Sequence, residues 1–533
     1  MRSYTVKIDK ELLAGIHPLS APPVTQITLS SLSNMAPTDF GMQLPLQISP
    51  LLSSSWGLTS TSTWPQLFKY DGGVLIVYSN AIYFYDGSTP SEIVIYSAAS
   101  PANTYAPGGG ATNPWSFVDF GPTWFLVRVG DIVYKLKQGT MYTTQDLKTY
   151  GLSGAIAGKA CKHMGRLILA NLGAAFWINS SLGPIADLLA DPNYTLTTST
   201  PLQAYASSEQ LGSNAVFWSG IASADALFFI DPDLASNEDG SFENSLLLES
   251  FYRNDMGFAV METPGAIYGV HPLGTSVIVY TADSVYELHF VSAPTSTYEI
   301  RKLFDVGCQY TKIAAGERTH YFVDVHGALC RVALSDGRPV VTRLGFTAIM
   351  TTVGRMSVVE QGVGDVNEAI PGMPQDVLLL SHNQATFIFD GQRMYSVTTP
   401  TRSSAFVAFN GAVRSATTTQ PSYTTVSVQT NPFVLSPNGD VTLTQLEVVG
   451  KLETLSELQV TILFTTFGKS VVDGVQSYVL PAAYPLSFAL TAHQFSILVE
   501  VKTNGEQSTD VIDSIRLTYQ ISDRRFVRSI NVD

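Results

Sequence analysis

The chain has 533 residues, of which 45% are hydrophobic, 11% aromatic and only 14% charged. That length is too great for one small core and predicts two or more domains. A net charge of −14, with no run rich in Lys or Arg, excludes a protein that holds nucleic acid by neutralising phosphates.

Residues 1–62 read as an extended N-terminal arm. Pro18 to Pro65 is rich in Ser, Thr and Pro, with scattered apolar residues. Leu44, Leu46, Ile48 and Leu51 give the arm something to bury, which predicts docking on its own domain or on a neighbouring subunit, with a flexible tail as the alternative. Met1–Leu13 lacks the apolar core of a signal peptide, and no apolar run has the length of a membrane helix, so neither Sec export nor membrane insertion is expected.

Residues 63–420 carry a recurring signature: an apolar strand, a polar turn, then a strand rich in aromatic and β-branched residues. The copies are Val74–Tyr85, Thr123–Lys135, Arg166–Ile178, Ser276–Leu288, Thr319–Val332 and Asp376–Phe389. A unit returning at intervals of roughly 40 to 60 residues predicts a β-propeller. The interval from Gly173 to Asp283 spans about two periods and holds the strand-rich Ala215–Asp231. Six blades are therefore expected, with seven as the alternative. A generic two-sheet protein is the competing fold, because no WD or kelch repeat marks the copies. Pro101–Pro114, Asp231–Asn244 and Gln361–Pro374 read as inserted surface loops.

Residues 421–533 change period. Leu458, Val460, Ile462 and Phe464 alternate with other residues, as do Phe495, Ile497, Val499 and Val501, and then Ile515, Leu517 and Tyr519. Alternation of this kind marks strands with one buried face and predicts a C-terminal β-sandwich, jelly-roll-like in character, with another blade plus a tail as the alternative.

Chemical motifs are scarce. Ser153–Ala160 imitates a phosphate-binding loop, but Ser153 stands where the first glycine belongs and Ala160 where the magnesium-binding hydroxyl belongs, so it reads as a strand connection. Asp231, Asp233, Asn237, Glu238 and Asp239 are oxygen ligands in a register that Ala235 spoils for an EF-hand; they read as a solvated loop, with a cation site at a subunit contact as the alternative. His163 and His271 have no companions at ligand spacing, and His320 and His326 sit around one hairpin. Cys161, Cys308 and Cys330 read as buried reduced thiols of a protein made in a reducing compartment. No catalytic, cofactor-binding or metal-binding residue is assigned, and the chain reads as a non-enzyme.

Several weak segments fall in a telling order. Gly165–Ala170 is followed by Ser213–Ala224, Ser276–Leu288, Phe304–Thr311 and Thr319–Val332 with its His-Gly turn, and the chain closes with Ile515–Arg525. This succession resembles the tail nozzle or tail-tube propeller proteins of short-tailed bacteriophages, over roughly residues 160–390 and the C-terminus. The arm departs from that family's usual opening. The resemblance implies a virion structural protein, made in the host cytoplasm, whose copies form a ring, six in the family, below the portal and adaptor. Double-stranded DNA would pass without specific binding, and tail fibres or spikes would attach outside. An acidic wall suits such a conduit, since like charge keeps the duplex from sticking. The glycine-rich Ala106–Ala111 is a candidate gate. A propeller that recognises host glycan and a propeller enzyme acting on polysaccharide are the alternatives; the enzyme would need two convergent carboxylates.

Overall fold

A computed structural model describes residues 3–56 and 65–521 with interruptions, the longest being 104–113, 144–156, 180–207 and 219–256. The fold is all-β. Among the described residues, seven small sheets follow one another around an axis, and a two-sheet sandwich lies beside them. Blade one runs from Gln66–Tyr70 to Ser91–Ile93, blade two from Ser116–Asp119 to Thr140–Thr143, and blade three from Ala157–His163 to Gly257–Val260. Blade four runs from Ile267–Leu273 to Tyr298–Phe304, blade five from Cys308–Ala315 to Arg338–Gly345, and blade six from Arg355–Glu360 to Met394–Thr398. The first strands of consecutive blades lie against each other from blade two to blade seven, and blade seven's first strand, Phe406–Phe409, returns to Gln66–Tyr70. The ring closes between blades one and two, where the Gln66 side-chain amide exchanges hydrogen bonds with the backbone of Trp115.

The recurring signature has a packing cause. Its first half supplies the second strand of a blade, which neighbouring blades cover on both faces. Gly73–Val77 and Ser276–Thr281 are buried at every position, and Asp376–Ser381 at all but the first. A strand buried on both faces reads as a continuous apolar run rather than an alternating one.

Two features change the blade arithmetic. In the third copy, Arg166–Leu172 does not pair with Trp177–Asn179. It pairs with Ala215–Trp218, while Trp177–Asn179 forms a separate ribbon with Ser208–Gln210. The long interval after Gly173 is thus one blade with an insertion, not two periods. The count still reaches seven, because Phe406–Phe409 and Ala412–Ser415 form a blade with the arm strand Ile48–Pro50, laid parallel to Ala412–Ser415.

The arm is built into its own chain along most of its length. Ser3–Ile8 pairs antiparallel with Val511–Ile521 in the sandwich. Leu29–Ser33 pairs with Thr425–Thr430 and, through Ser33 and Ser396, with blade six, so that blade and one sandwich sheet become a ten-stranded run. Ile8, Leu12, Leu32 and Ile48 are fully buried; Leu46 and Leu51 are nearly so, and Leu44 stays exposed.

The sandwich packs Ser3–Ile8, Val511–Ile521, Val441–Lys451 and Leu486–Ala492 against a sheet that includes Thr425–Thr430, Gln494–Lys502 and Glu457–Thr465. Period-two alternation is realised directly. Leu458, Val460 and Ile462 are buried with Phe495, Ile497, Val499 and Val501, opposite Ile515 and Leu517, while Phe464 and Tyr519 pack at the margin.

Candidate ligand site at the propeller axis

The first strand of every blade contributes to one cavity of about 670 Å³ at the axis. Five cations line it, Lys69, Arg128, Lys159, Lys162 and Arg355, against the carboxylates Asp119 and Glu317. The sign is opposite to that of the whole chain. Arg128 lies over the Trp115 ring with its guanidinium carbon 4.3 Å from the centroid. Lys162 donates to the Asp119 backbone carbonyl at 3.1 Å and sits over Phe120.

Lys159 is the unusual member. It sits on the first strand of blade three, with Gly158 and Ala160 beside it, and is 5% exposed. Its ammonium lies 5.8 Å from the centroid of Tyr310 in blade five, and it has no hydrogen bond or ion pair among the described residues. Burial, aided by the Arg355 cation, brings its pKa down to about 8. It therefore remains mostly protonated at neutral pH.

Around the cavity the seams between blades are polar. His320 of blade five bridges to blade four: Nε2 donates to the Pro272 carbonyl at 2.9 Å, and Nδ1 accepts from the Tyr280 hydroxyl at 3.0 Å. The carbonyl can only accept, so this tautomer follows. His163 of blade three repeats the device. Its Nδ1 lies 2.8 Å from the Tyr298 hydroxyl and its Nε2 3.3 Å from the Gly274 carbonyl. Burial pushes His320 down to about 4 and also lowers His163. His271, partly exposed where it lines the cavity, is pushed down to about 3 by burial and then by His320 and Lys159. All three are neutral imidazoles near pH 7.

The other singled-out residues are dispersed. Cys161, Cys308 and Cys330 are buried free thiols raised by burial, the last to about 12. His326 is exposed at a turn. Ser153–Ile156, the acidic residues Asp231–Asp239 and the glycine-rich Ala106–Ala111 lie outside the described residues. Gly158, Lys159 and Ala160, read from sequence as part of a strand connection, are instead strand residues at the axis. Among the described residues no group of three or more His, Cys, Asp or Glu could share a metal ion, and no helix is long and apolar enough to cross a membrane. Sequence reasoning missed the cavity because its walls come from strands some 340 residues apart, Gln66 to Phe406. The only local signal was a lysine flanked by small residues, Gly158 and Ala160.

No protein-family model and no curated protein matches the chain. Solved structures with a similar course include PorZ, a surface component of the type-IX secretion system of Porphyromonas gingivalis, at 8% identity and a TM-score of 0.33, covering 72% of this chain and 36% of PorZ. The extracellular domain of the putative hybrid two-component system BT4673 from B. thetaiotaomicron has 9% identity and a TM-score of 0.36, covering 76% of this chain and 43% of that one. YCF48 bound to D1 peptide has 8% identity and a TM-score of 0.31, covering 64% of this chain and 82% of YCF48. The chain thus spans less than half the length of the first two.

Proposed function

We propose that this chain is a structural subunit of a short-tailed phage tail, a nozzle or tube component whose copies close a ring around the path of the leaving genome. The observation that carries the reading is the order of the resembling segments, whose described residues between Gly165 and Val332 fall in blades three, four and five in sequence. Two of their glycines have a physical reason. Gly165 and Met164 form a two-residue hairpin turn with φ of +72° and +48°, the left-handed pair such turns require. Gly307 passes so close beneath the blade-four turn that an added Cβ would lie 1.9 Å from the Ala282 carbonyl oxygen.

The size of the axial cavity constrains the conduit. About 670 Å³ suits a small molecule, not a duplex. Genome would therefore pass between copies of the chain, not through one propeller. A surface suited to such contacts ends the sandwich. Among the described residues Gly474–Pro481 is the terminal strand of its sheet, paired on one side only, with Val475 and Val479 each 58% exposed. Open edges with apolar side chains invite another strand unless covered, and a neighbouring copy would cover this one. The net charge of −14 suits a wall that repels phosphate. Adaptor proteins on the portal side and fibres or spikes outside are the expected partners, in the virion tail.

Deleting the coding sequence from the phage genome tests the reading. The expected result is DNA-filled heads that fail to deliver their genome, and antibody to this chain should decorate the tail of wild-type particles. Normal infection by particles lacking the chain would contradict it.

A further inference from the structure

We propose that the axial cavity binds a small organic anion, a compound bearing a carboxylate or phosphate group, and that Lys159 receives its charge. The inference is independent of the tail reading, because it concerns the interior of one propeller and not the contacts between copies.

The argument begins with cost. A buried ammonium without a partner is among the least favourable groups a core can hold, and an apolar residue would suit an inner strand better. Lys159 is nonetheless 5% exposed, directed into the cavity, and without hydrogen bond or ion pair among the described residues. Arg128 and Arg355 add charge at the same place while making other contacts. The cavity therefore concentrates positive potential inside a low-dielectric wall, in a chain that is acidic on average. An arriving anion would offset the penalty that Lys159 already imposes. The remaining lining fits an organic body rather than a bare ion. Tyr268, Pro272, Ile313 and Phe406 supply apolar and aromatic surface, and about 670 Å³ lies within the range of small-molecule sites.

The probes are inorganic phosphate, glucuronate and neutral glucose, titrated into the full chain by calorimetry with thermal unfolding in parallel. At least one anion should bind saturably at one site per chain and raise the unfolding temperature, while glucose does neither. Preference between phosphate and glucuronate identifies the acidic group. Lys159→Gln should weaken binding at least tenfold without lowering the ligand-free unfolding temperature, since it removes a buried charge. Lys502→Gln, on the exposed sandwich, should leave binding unchanged. Should Lys159→Gln fail to fold, the wild-type pH profile with glucuronate decides. Lys69, Lys162, Asp119, Glu317, Arg128 and Arg355 also face the cavity, Cys308, Tyr310 and Cys161 are raised by burial and His271 lies near 3, and Lys159, brought down to about 8, changes charge between pH 7 and 9. Affinity should fall about tenfold by pH 9. No saturable binding by either anion, unchanged binding by folded Lys159→Gln, a flat pH profile, or equal stabilisation by chloride at matched ionic strength would each overturn the proposal.

Discussion

The propeller seams and the sandwich core bury different chemistry. The sandwich interior is chiefly aliphatic and aromatic, with Val460, Ile462, Phe495, Ile497 and Leu517 fully buried, and among its buried polar groups Ser456 pairs with Asp510 and Ser496 with the Thr430 carbonyl. The seams of blades three to five instead hold His163–Tyr298 and His320–Tyr280, with Lys159 at the axis, and blade five buries Asp324 against Arg343, whose Nε lies 3.1 Å away. A sandwich packs two sheets once, so apolar shape complementarity does most of the joining. A ring must join each blade to two neighbours at fixed angles around a narrow axis. Directional hydrogen bonds across the seams fix those angles, at the cost of groups whose charge depends on pH.

Perturbing each region should therefore give different signatures. The largest effect belongs to the sandwich. Phe495→Ala should cost about 3–5 kcal/mol in denaturant unfolding, by lost burial and a residual cavity, with the same loss at pH 5 and pH 8. Gly307→Ala in the propeller should cost about 2–4 kcal/mol, because the methyl group meets backbone and not a side chain that can turn away.

Acid should act on the propeller. His320 and His271 are held near 4 and 3, below the 6.5 of the unfolded chain, so the unfolded chain binds more protons below pH 6.5. The stability that neutral imidazoles contribute is complete above pH 6.5. Below it, each histidine removes about 1.4 kcal/mol per pH unit until its own folded pKa is reached. Thermal melts from pH 7.5 to 4.5 should show this slope, and His320→Gln should roughly halve it, leaving the share of His271.

Tyr280→Phe should cost about 1–3 kcal/mol by leaving the His320 Nδ1 acceptor buried without its donor. Smallest in stability is the pair Val475→Lys with Val479→Lys, within about 0.5 kcal/mol in the isolated chain, since both side chains face outward. The same pair should abolish ring formation seen by native mass spectrometry.

The two regions also differ in how far their sequence could be read. The sandwich was legible because one buried face imposes a period of two, and Leu458–Ile462 and Phe495–Val501 carry it without interruption. Five of the six hairpin copies landed on paired strands for a related reason, the double-faced burial of each blade's second strand. The third copy misled because Trp177–Ile178 is apolar yet pairs elsewhere. Blade seven escaped notice because its third strand, Ile48–Pro50, has three residues and lies some 360 residues away from its partner. Lys159 attracted attention only through a false likeness to a phosphate loop. Its burial results from the meeting of seven strands, which local pattern does not encode.

Electron microscopy of the purified full-length chain and of tails released from particles tests the central claim most directly. The account predicts closed rings, six copies around an opening wide enough for duplex DNA, with each propeller's own axis closed to DNA and the Gly474–Pro481 edge at a subunit contact. A chain that remains monomeric in both preparations, or rings whose only opening is the propeller axis, would contradict it.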